Sequence, residues 1–147
     1  MSDRKQVVEA LEALLADSYT LYVKTHSYHW NVTGPMFSTL HTMFETQYTE
    51  LALAVDEIAE RIRALGSVAP GSYTQFMQCS TVKEDASVPK ATVMIENLVA
   101  DHARVVASAK QVIAAATEAG DDASVDLGVR RTEVHEKSAW MLRSHLE

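Results

Sequence analysis

The sequence predicts an all-α protein, a four-helix bundle with one long crossover between its second and third long helices. Glycine (5) and proline (3) are few among the 147 residues, and hydrophobic residues make up 47% of the chain. Long segments carry apolar residues at steps near 3.6, which is typical of helices with one buried face. One connection is about 20 residues long, whereas the other two are short.

The first two helices are predicted from their apolar periodicity. The first spans about residues 3–31, and the second about residues 36–65, where Gly66 provides a C-cap. Thr33-Gly34-Pro35 interrupts the pattern between them. Apolar residues that define the stripes are Val7, Leu11, Leu14 and Leu15 in the first helix and Leu40, Phe44, Leu51, Val55, Ile58 and Ile62 in the second.

The third helix is predicted to start near Ser87-Val88-Pro89 and to end at Gly120, and the fourth to span about residues 124–146. Short connections make the first and second helices antiparallel neighbours, and likewise the third and fourth. The segment 67–86 is long enough to cross the whole bundle, at roughly 3.3 Å per extended residue. A short helix around residues 73–77 fits inside it.

Composition excludes several classes of protein. Cys79 is the only cysteine, which excludes an intrachain disulfide and a cysteine-based zinc cluster. No apolar run approaches the roughly 20 residues of a membrane helix, and the N-terminus does not resemble a signal peptide. We therefore expect one domain over residues 1–147, located in the cytoplasm, without a membrane segment. The net charge of −7 predicts no overall attraction to nucleic acid.

One face of the second helix carries side chains that can bind a metal ion. His41, Glu45, Asp56 and Glu60 fall within about 100° of one another on a helical wheel, beside the apolar stripe. Ala52 lies in the middle of this polar face, where a small residue lets another helix approach. Imidazole with carboxylate suits iron, manganese or zinc.

The two pairs, His41/Glu45 and Asp56/Glu60, cannot share an ion within one chain because about 16 Å of helix separates them. An antiparallel two-fold pairing of this helix with its copy brings each pair opposite the other. A solvated charged stripe is the alternative, but His29 on the neighbouring helix favours a metal site. No Glu-x-x-His motif of a single-chain di-iron site is present.

The segments His29-Trp30-Asn31-Val32-Thr33-Gly34, His41-x3-Glu45 and Asp56-x3-Glu60-Arg61, with the ending His135 to Ser144, resemble the Dps family of ferritin-like mini-ferritins over nearly the whole chain. The best-known members carry Asp where this chain has Glu45. The resemblance implies a ferritin-like bundle that assembles as a hollow dodecamer.

The resemblance also implies a function, iron storage and detoxification by a ferroxidase. Fe(II) is expected to bind at mono- or dinuclear sites at the two-fold interfaces, and hydrogen peroxide is expected to be the preferred oxidant. The ferric product is expected to be stored as an oxyhydroxide core, which protects DNA from oxidative damage. The implied ligands are His29, His41 and Glu45 of one subunit with Asp56 and Glu60 of its neighbour.

Weaker candidates surround this set. Trp30 is expected either to tune or trap oxidising equivalents or to pack as a half-buried core residue. By the same resemblance, Asp121 and Asp126 are candidates for an iron-entry pore. The remaining histidines (His26, His102, His135, His145) are interpreted as surface or satisfied core residues. Arg61, Arg63, Arg130 and Arg131 are interpreted as solvated or interfacial, and the tyrosines as packing.

The alternative function is that of an architectural, DNA-compacting protein of the same family. Such binding needs several cations that contact phosphate. Only Arg4 and Lys5 precede the apolar stripe of the first helix, and the last predicted helix is not followed by a basic tail. We therefore expect direct DNA binding to be weak or absent.

Overall fold

Four long helices dominate the computed structural model, which describes residues 2–147. Met1, where the predicted domain begins, lies outside the described residues. The elements are α1 (Ser2–Asn31), α2 (Phe37–Ala64), α3 (Tyr73–Cys79), α4 (Ala91–Ala119) and α5 (Asp122–Arg143), followed by a 3₁₀ turn, Ser144–Leu146. The all-α prediction is confirmed, and the described residues form no strand.

The long helices form a bundle with a crossover. Helix α1 packs against both α2 and α4, α4 packs against α5, and α2 touches α5. Their apolar stripes meet in one continuous core. Fully buried members from the four long helices include Leu11, Leu14, Phe44, Ile58, Ile62, Leu98, Val105, Val112 and Leu142.

Glycines end two helices in left-handed conformations. After α2, Gly66 has a φ of +94°, and the backbone N–H of Ser67 donates to the carbonyl of Ile62 at 3.2 Å. After α4, Gly120 has a φ of +68°, and the N–H of Asp121 donates to the carbonyl of Ala116 at 2.8 Å. Both are Schellman-type ends, which satisfy carbonyls that the helix leaves free.

The start of α4 differs from the prediction. It begins at Ala91 and not near Ser87, because Ser87 is held in a turn by Asp85. The Asp85 carboxylate accepts hydrogen bonds from the backbone N–H and the hydroxyl of Ser87. Pro89 lacks an N–H, and Lys90 has an extended backbone. Helix α5 likewise begins at Asp122, two residues earlier than predicted, with Asp121 as its N-cap.

The crossover between α2 and α4 is fixed by charged and polar side chains of α1. Buried Asp17 accepts the backbone N–H groups of Thr81 at 2.6 Å and Val82 at 3.2 Å. Lys24 Nζ donates to the carbonyl of Lys83 at 2.8 Å, and the hydroxyl of Tyr28 donates to Asp85 at 2.6 Å. These contacts satisfy backbone groups that a long loop otherwise leaves to water.

Arg131 corrects a prediction from the sequence. Its side chain is buried, not solvated, and forms an ion pair with Glu50 of α2. The same guanidinium donates to His135 Nε2 at 3.0 Å, and His135 Nδ1 lies 2.8 Å from His102 Nδ1. Because Arg131 can only donate, His135 carries its proton on Nδ1 and donates to His102. The chain of polar groups links α2, α5 and α4 through the core.

No helix within residues 2–147 is long and apolar enough to cross a lipid bilayer.

Candidate metal centre

Two histidines from successive helices face each other at one end of the bundle. His29 lies in the last turn of α1, and His41 lies near the start of α2. The short connection between them reverses the chain at Gly34, whose φ of +106° favours glycine. The two imidazole rings stack, with centroids 3.8 Å apart and planes 16° from parallel.

Reciprocal hydrogen bonds fix both rings. His29 Nδ1 lies 2.7 Å from the carbonyl oxygen of His41, and His41 Nδ1 lies 2.7 Å from the carbonyl oxygen of His29. A carbonyl only accepts, so both Nδ1 atoms must carry the proton and donate. Both Nε2 atoms therefore keep their lone pairs. This tautomer, set by a backbone carbonyl, is the one that metal-binding histidines commonly adopt.

Glu45 completes a group of three. It lies one turn after His41, is exposed, and offers a carboxylate oxygen; the ligand atoms of His29, His41 and Glu45 all lie within 4.8 Å of one another. Two ligands of one ion at about 2.0–2.2 Å cannot be much more than 4 Å apart. Glu45 is exposed and its side chain can rotate, and two imidazoles with a carboxylate are a donor set that suits a first-row metal ion.

Asp56 and Glu60 lie elsewhere in the same chain. Both are exposed on α2, and neither belongs to the group formed by His29, His41 and Glu45. From Glu45 to Asp56 the helix rises about 16 Å. Within residues 2–147, neither carboxylate has a salt-bridge partner. One subunit thus presents a three-ligand group and a separate pair of free carboxylates on the same helix.

Comparison with known proteins identifies the family. A family model for the ferritin-like domain matches residues 8–147. DNA protection during starvation protein 2 of Bacillus anthracis is 38% identical, with 97% of each chain covered. The chain belongs to the Dps family of ferritin-like proteins.

This Dps chain is also similar to two further proteins. A low temperature-induced protein of Nostoc sp. is 44% identical over 98% of this chain and 82% of its own. The crystal structure of a Dps protein from Vibrio cholerae, described as a member of the ferritin-like diiron-carboxylate superfamily, superposes with a TM-score of 0.95. It is 30% identical and covers 99% of this chain and 92% of its own.

The weaker candidates of this Dps chain are placed as follows. Trp30 is 62% exposed in the subunit, so it is not a core residue there, and its ring lies 4.0 Å from that of His26. Asp126 is exposed and pairs with Arg130 at 2.9 Å. The roles of both at a redox centre or a pore stay predictions.

Asp121 is engaged within its own subunit. It caps α5, and its carboxylate accepts hydrogen bonds from Ser124 and from Arg61, the latter at 2.8 Å. Partial burial raises the pKa of Asp121, but the hydrogen bonds from Ser124 and the charge of Arg61 outweigh burial and leave that pKa below its ordinary value. Its pore role also stays a prediction.

Tyr48, which was interpreted from the sequence as a packing residue, is a neighbour of the candidate metal centre. Its ring centroid lies 5.2 Å from that of His29 and 4.2 Å from that of His26. Tyr48 follows His41 by seven residues, which is nearly two full helical turns. That spacing places it on the ligand face of α2 and was the signal available in the sequence.

Proposed function

We propose that this chain forms an iron-storing ferroxidase shell that takes Fe(II) as its substrate. Each site consists of His29, His41 and Glu45 of one subunit with Asp56 and Glu60 of a two-fold partner. Hydrogen peroxide is the preferred oxidant, and the ferric product accumulates as an oxyhydroxide core inside a dodecamer. DNA is protected because iron and peroxide are removed together.

The observation that carries the proposal is the pair of histidines whose Nδ1 atoms are fixed on each other's carbonyls. Both Nε2 atoms keep their lone pairs without a further change of tautomer, and each histidine has a ring nitrogen within 4.8 Å of a carboxylate oxygen of Glu45. Imidazole accepts both iron oxidation states, while carboxylates, as hard anions, favour Fe(III). Three such ligands on one subunit leave coordination positions that the carboxylates of a partner can fill.

Surface features of α2 support a partner at this face. Asp56 and Glu60 are exposed without a salt bridge in the described chain, and Ala52 between the two ligand groups is exposed and small. Leu53, next to it, is 71% exposed and adds apolar area to the same surface. An antiparallel two-fold contact centred near Ala52 covers this surface and completes two sites at once.

Peroxide fits a site that holds iron in pairs. Two Fe(II) ions, one H₂O₂ and two protons give two Fe(III) ions and two water molecules. Both electrons that peroxide accepts then come from iron, and no hydroxyl radical is released. This balance is the chemical reason why such a shell protects DNA.

A subunit-mixing experiment tests the shared site. One variant carries His41→Asn and Glu45→Gln, in which the Asn side chain can still donate to the carbonyl of His29. The other carries Asp56→Asn and Glu60→Gln. Each variant alone should lose rapid Fe(II) oxidation. Shells co-assembled from equal amounts of both should recover about a quarter of the wild-type rate, since half of the two-fold pairs are mixed and each has one intact site of two.

The controls separate assembly from chemistry. Glu96→Gln removes an exposed carboxylate of α4 and should oxidise iron at the wild-type rate. Mixing the two variants after each has assembled separately should restore nothing. Activity in either variant alone, or no recovery in tagged shells shown to contain both subunits, contradicts the shared site.

Oxidant preference is a separate measurement. Stopped-flow oxidation without oxygen should consume about two Fe(II) ions per peroxide, and should be faster with peroxide than with dissolved oxygen. A one-to-one stoichiometry with free hydroxyl radical contradicts the paired mechanism.

A further inference from the structure

A line of redox-active aromatic rings leads away from the metal centre along α1 and α2. Tyr48, whose ring lies 5.2 Å from His29, is followed by Tyr22 at 5.9 Å and Tyr19 at a further 5.8 Å. Tyr19 stacks on Phe76 of α3 at 4.8 Å. Phenylalanine is much harder to oxidise than tyrosine, so Phe76 ends the oxidisable part of the line.

A side branch starts from the same tyrosine. His26 lies between Tyr48 at 4.2 Å and Trp30 at 4.0 Å, so an indole that is 62% exposed is connected to a half-buried phenol. His26 also lies 5.5 Å from Tyr22, so the two branches are in contact, and Tyr48 is the oxidisable ring that belongs to both contacts and lies 5.2 Å from His29.

From this geometry we infer that Tyr48 donates the second electron to peroxide when a site holds only one Fe(II), and that Tyr22 and Tyr19 share the resulting hole. This inference rests on the proposed ferroxidase function and adds a role that the ligands cannot supply. A site with one Fe(II) has one electron for an oxidant that needs two. Without another donor at contact distance, peroxide would leave the site as hydroxyl radical.

The step balances in atoms and charge. One Fe(II), one H₂O₂, the Tyr48 phenol and one proton give one Fe(III), two water molecules and a neutral Tyr48 phenoxyl radical. The O–H bond of the phenol breaks, and its proton contributes to the water formed. When a second Fe(II) arrives, it reduces the radical: Fe(II), phenoxyl and one proton give Fe(III) and the phenol. The sum equals the paired reaction, so Tyr48 stores one oxidising equivalent until iron is available.

Packing is the competing explanation, since Tyr19 and Tyr22 lie against the hydrophobic core. The Tyr48 hydroxyl separates the two explanations. Within residues 2–147 this hydroxyl makes no hydrogen bond, although Tyr28 makes two through its own. Tyr48→Phe therefore keeps the ring contacts and removes only the group whose O–H bond must break, so the fold should be unaffected.

The experiment is freeze-quench electron paramagnetic resonance on assembled wild-type protein, Tyr48→Phe and the control Tyr73→Phe. Tyr73 is an exposed tyrosine of α3 that is not one of the rings between Tyr48 and Phe76. Each shell receives Fe(II) at one ion per site and then peroxide, without oxygen. Ring-deuterated tyrosine assigns the signal, and a spin trap in the same solution reports hydroxyl radical.

Wild type and Tyr73→Phe should show a tyrosyl signal that narrows on deuteration and decreases when two Fe(II) ions per site are supplied. Tyr48→Phe should lose most of that signal and release more trapped hydroxyl radical at one Fe(II) per site. Its rate with two Fe(II) per site should stay within about twofold of wild type, because the ligands are intact.

Three results would overturn the inference. The first is an unchanged tyrosyl signal in Tyr48→Phe. The second is a radical confined to Trp30 and insensitive to the Tyr48 substitution. The third is an Fe(III) yield in the wild type with no protein radical at any ratio of iron to site. Failure of the wild type to form Fe(III) at all overturns the ferroxidase proposal, and the inference with it.

Discussion

Replacing Lys24 by Met should destabilise the protein by leaving a buried carboxylate without its partner. Lys24 Nζ and Asp101 Oδ2 lie 2.8 Å apart, and the two side chains are only 7% and 4% exposed. Arg104 is the other cation near Asp101, at 3.6 Å, and is itself half exposed. Burial already raises the pKa of Asp101, and the hydrogen bond and charge of Lys24 counteract it.

The expected cost is about 3–5 kcal/mol of unfolding free energy at neutral pH, which is the usual penalty for breaking a buried pair. Loss of the hydrogen bond from Lys24 to the carbonyl of Lys83 adds about 1 kcal/mol. The double variant Lys24→Met/Asp101→Leu should recover most of the loss, because it leaves no unpaired charge in the core. Lys110→Met, at an exposed position of α4, should change stability by less than about 0.5 kcal/mol.

Guanidinium unfolding at fixed protein concentration measures these differences, and its pH dependence gives a second test. In Lys24→Met the folded-state pKa of Asp101 rises further above its unfolded value. A group with a raised pKa contributes stability at low pH and loses it as pH rises through the folded pKa. The deficit relative to wild type should therefore be smaller at pH 5 than at pH 7. A deficit below about 1 kcal/mol, or a double variant no better than the single one, refutes the argument.

Three other outcomes are expected. Burial and the charge of Arg131 lower the pKa of His102 to about 3, so the unfolded state takes up its proton first as pH falls below 6.5. Unfolding free energy should therefore drop by about 2 kcal/mol between pH 6.5 and 5 from this group, and a denaturation series should show a flatter slope in His102→Asn. Gly128→Ala should cost about 1–3 kcal/mol by the same assay, because the added Cβ would lie 2.7 Å from Ile113 Cγ1 and 3.0 Å from the carbonyl of Ala109; a neutral effect would mean that α4 and α5 separate easily. Finally, with −7 per chain, shells should not retard plasmid DNA at about 0.15 M salt yet should prevent its nicking by Fe(II) and peroxide; a salt-sensitive gel shift, or equal protection by the iron-site variants, would contradict this.

Apolar periodicity predicted the helices that bury a continuous stripe. It failed to predict helix boundaries where a side chain forms hydrogen bonds to the backbone. Helix α2 ends next to the predicted Gly66 because a left-handed glycine is a local signal. The start of α4 was placed too early because Asp85 captures Ser87, a preference that competes with helix formation. Local rules thus located helices better than they located the loop that joins them.

Contacts between distant parts of the chain could not be predicted. Asp17 and Lys24 reach the crossover some 60 residues away, and such charged residues on a helix are usually solvated. Arg131 was interpreted as solvated or interfacial for the same reason, although it is buried within the subunit and pairs with Glu50. A buried charge is recognised only once its partner is known.

The geometry of the candidate metal centre was predictable in part. The short turn between α1 and α2 makes it almost unavoidable that His29 and His41 meet, and Glu45 follows by helical spacing. The hydrogen bonds that fix the tautomers depend on the angle between two helices, which no spacing rule contains. Asp56 and Glu60 can join such a group only in a second subunit, so their role stays a prediction.

The reciprocal hydrogen bonds between the candidate ligands His29 and His41 also couple the position of each imidazole to the distance between α1 and α2. Each ring is tied to the backbone of the other helix, so neither imidazole can swing alone to suit an ion of different size. A metal that needs longer bonds must move the end of α1 away from α2, against the core packing behind it. At the proposed site, metal selectivity would come from the stiffness of a helix pair as much as from the identity of the donor atoms.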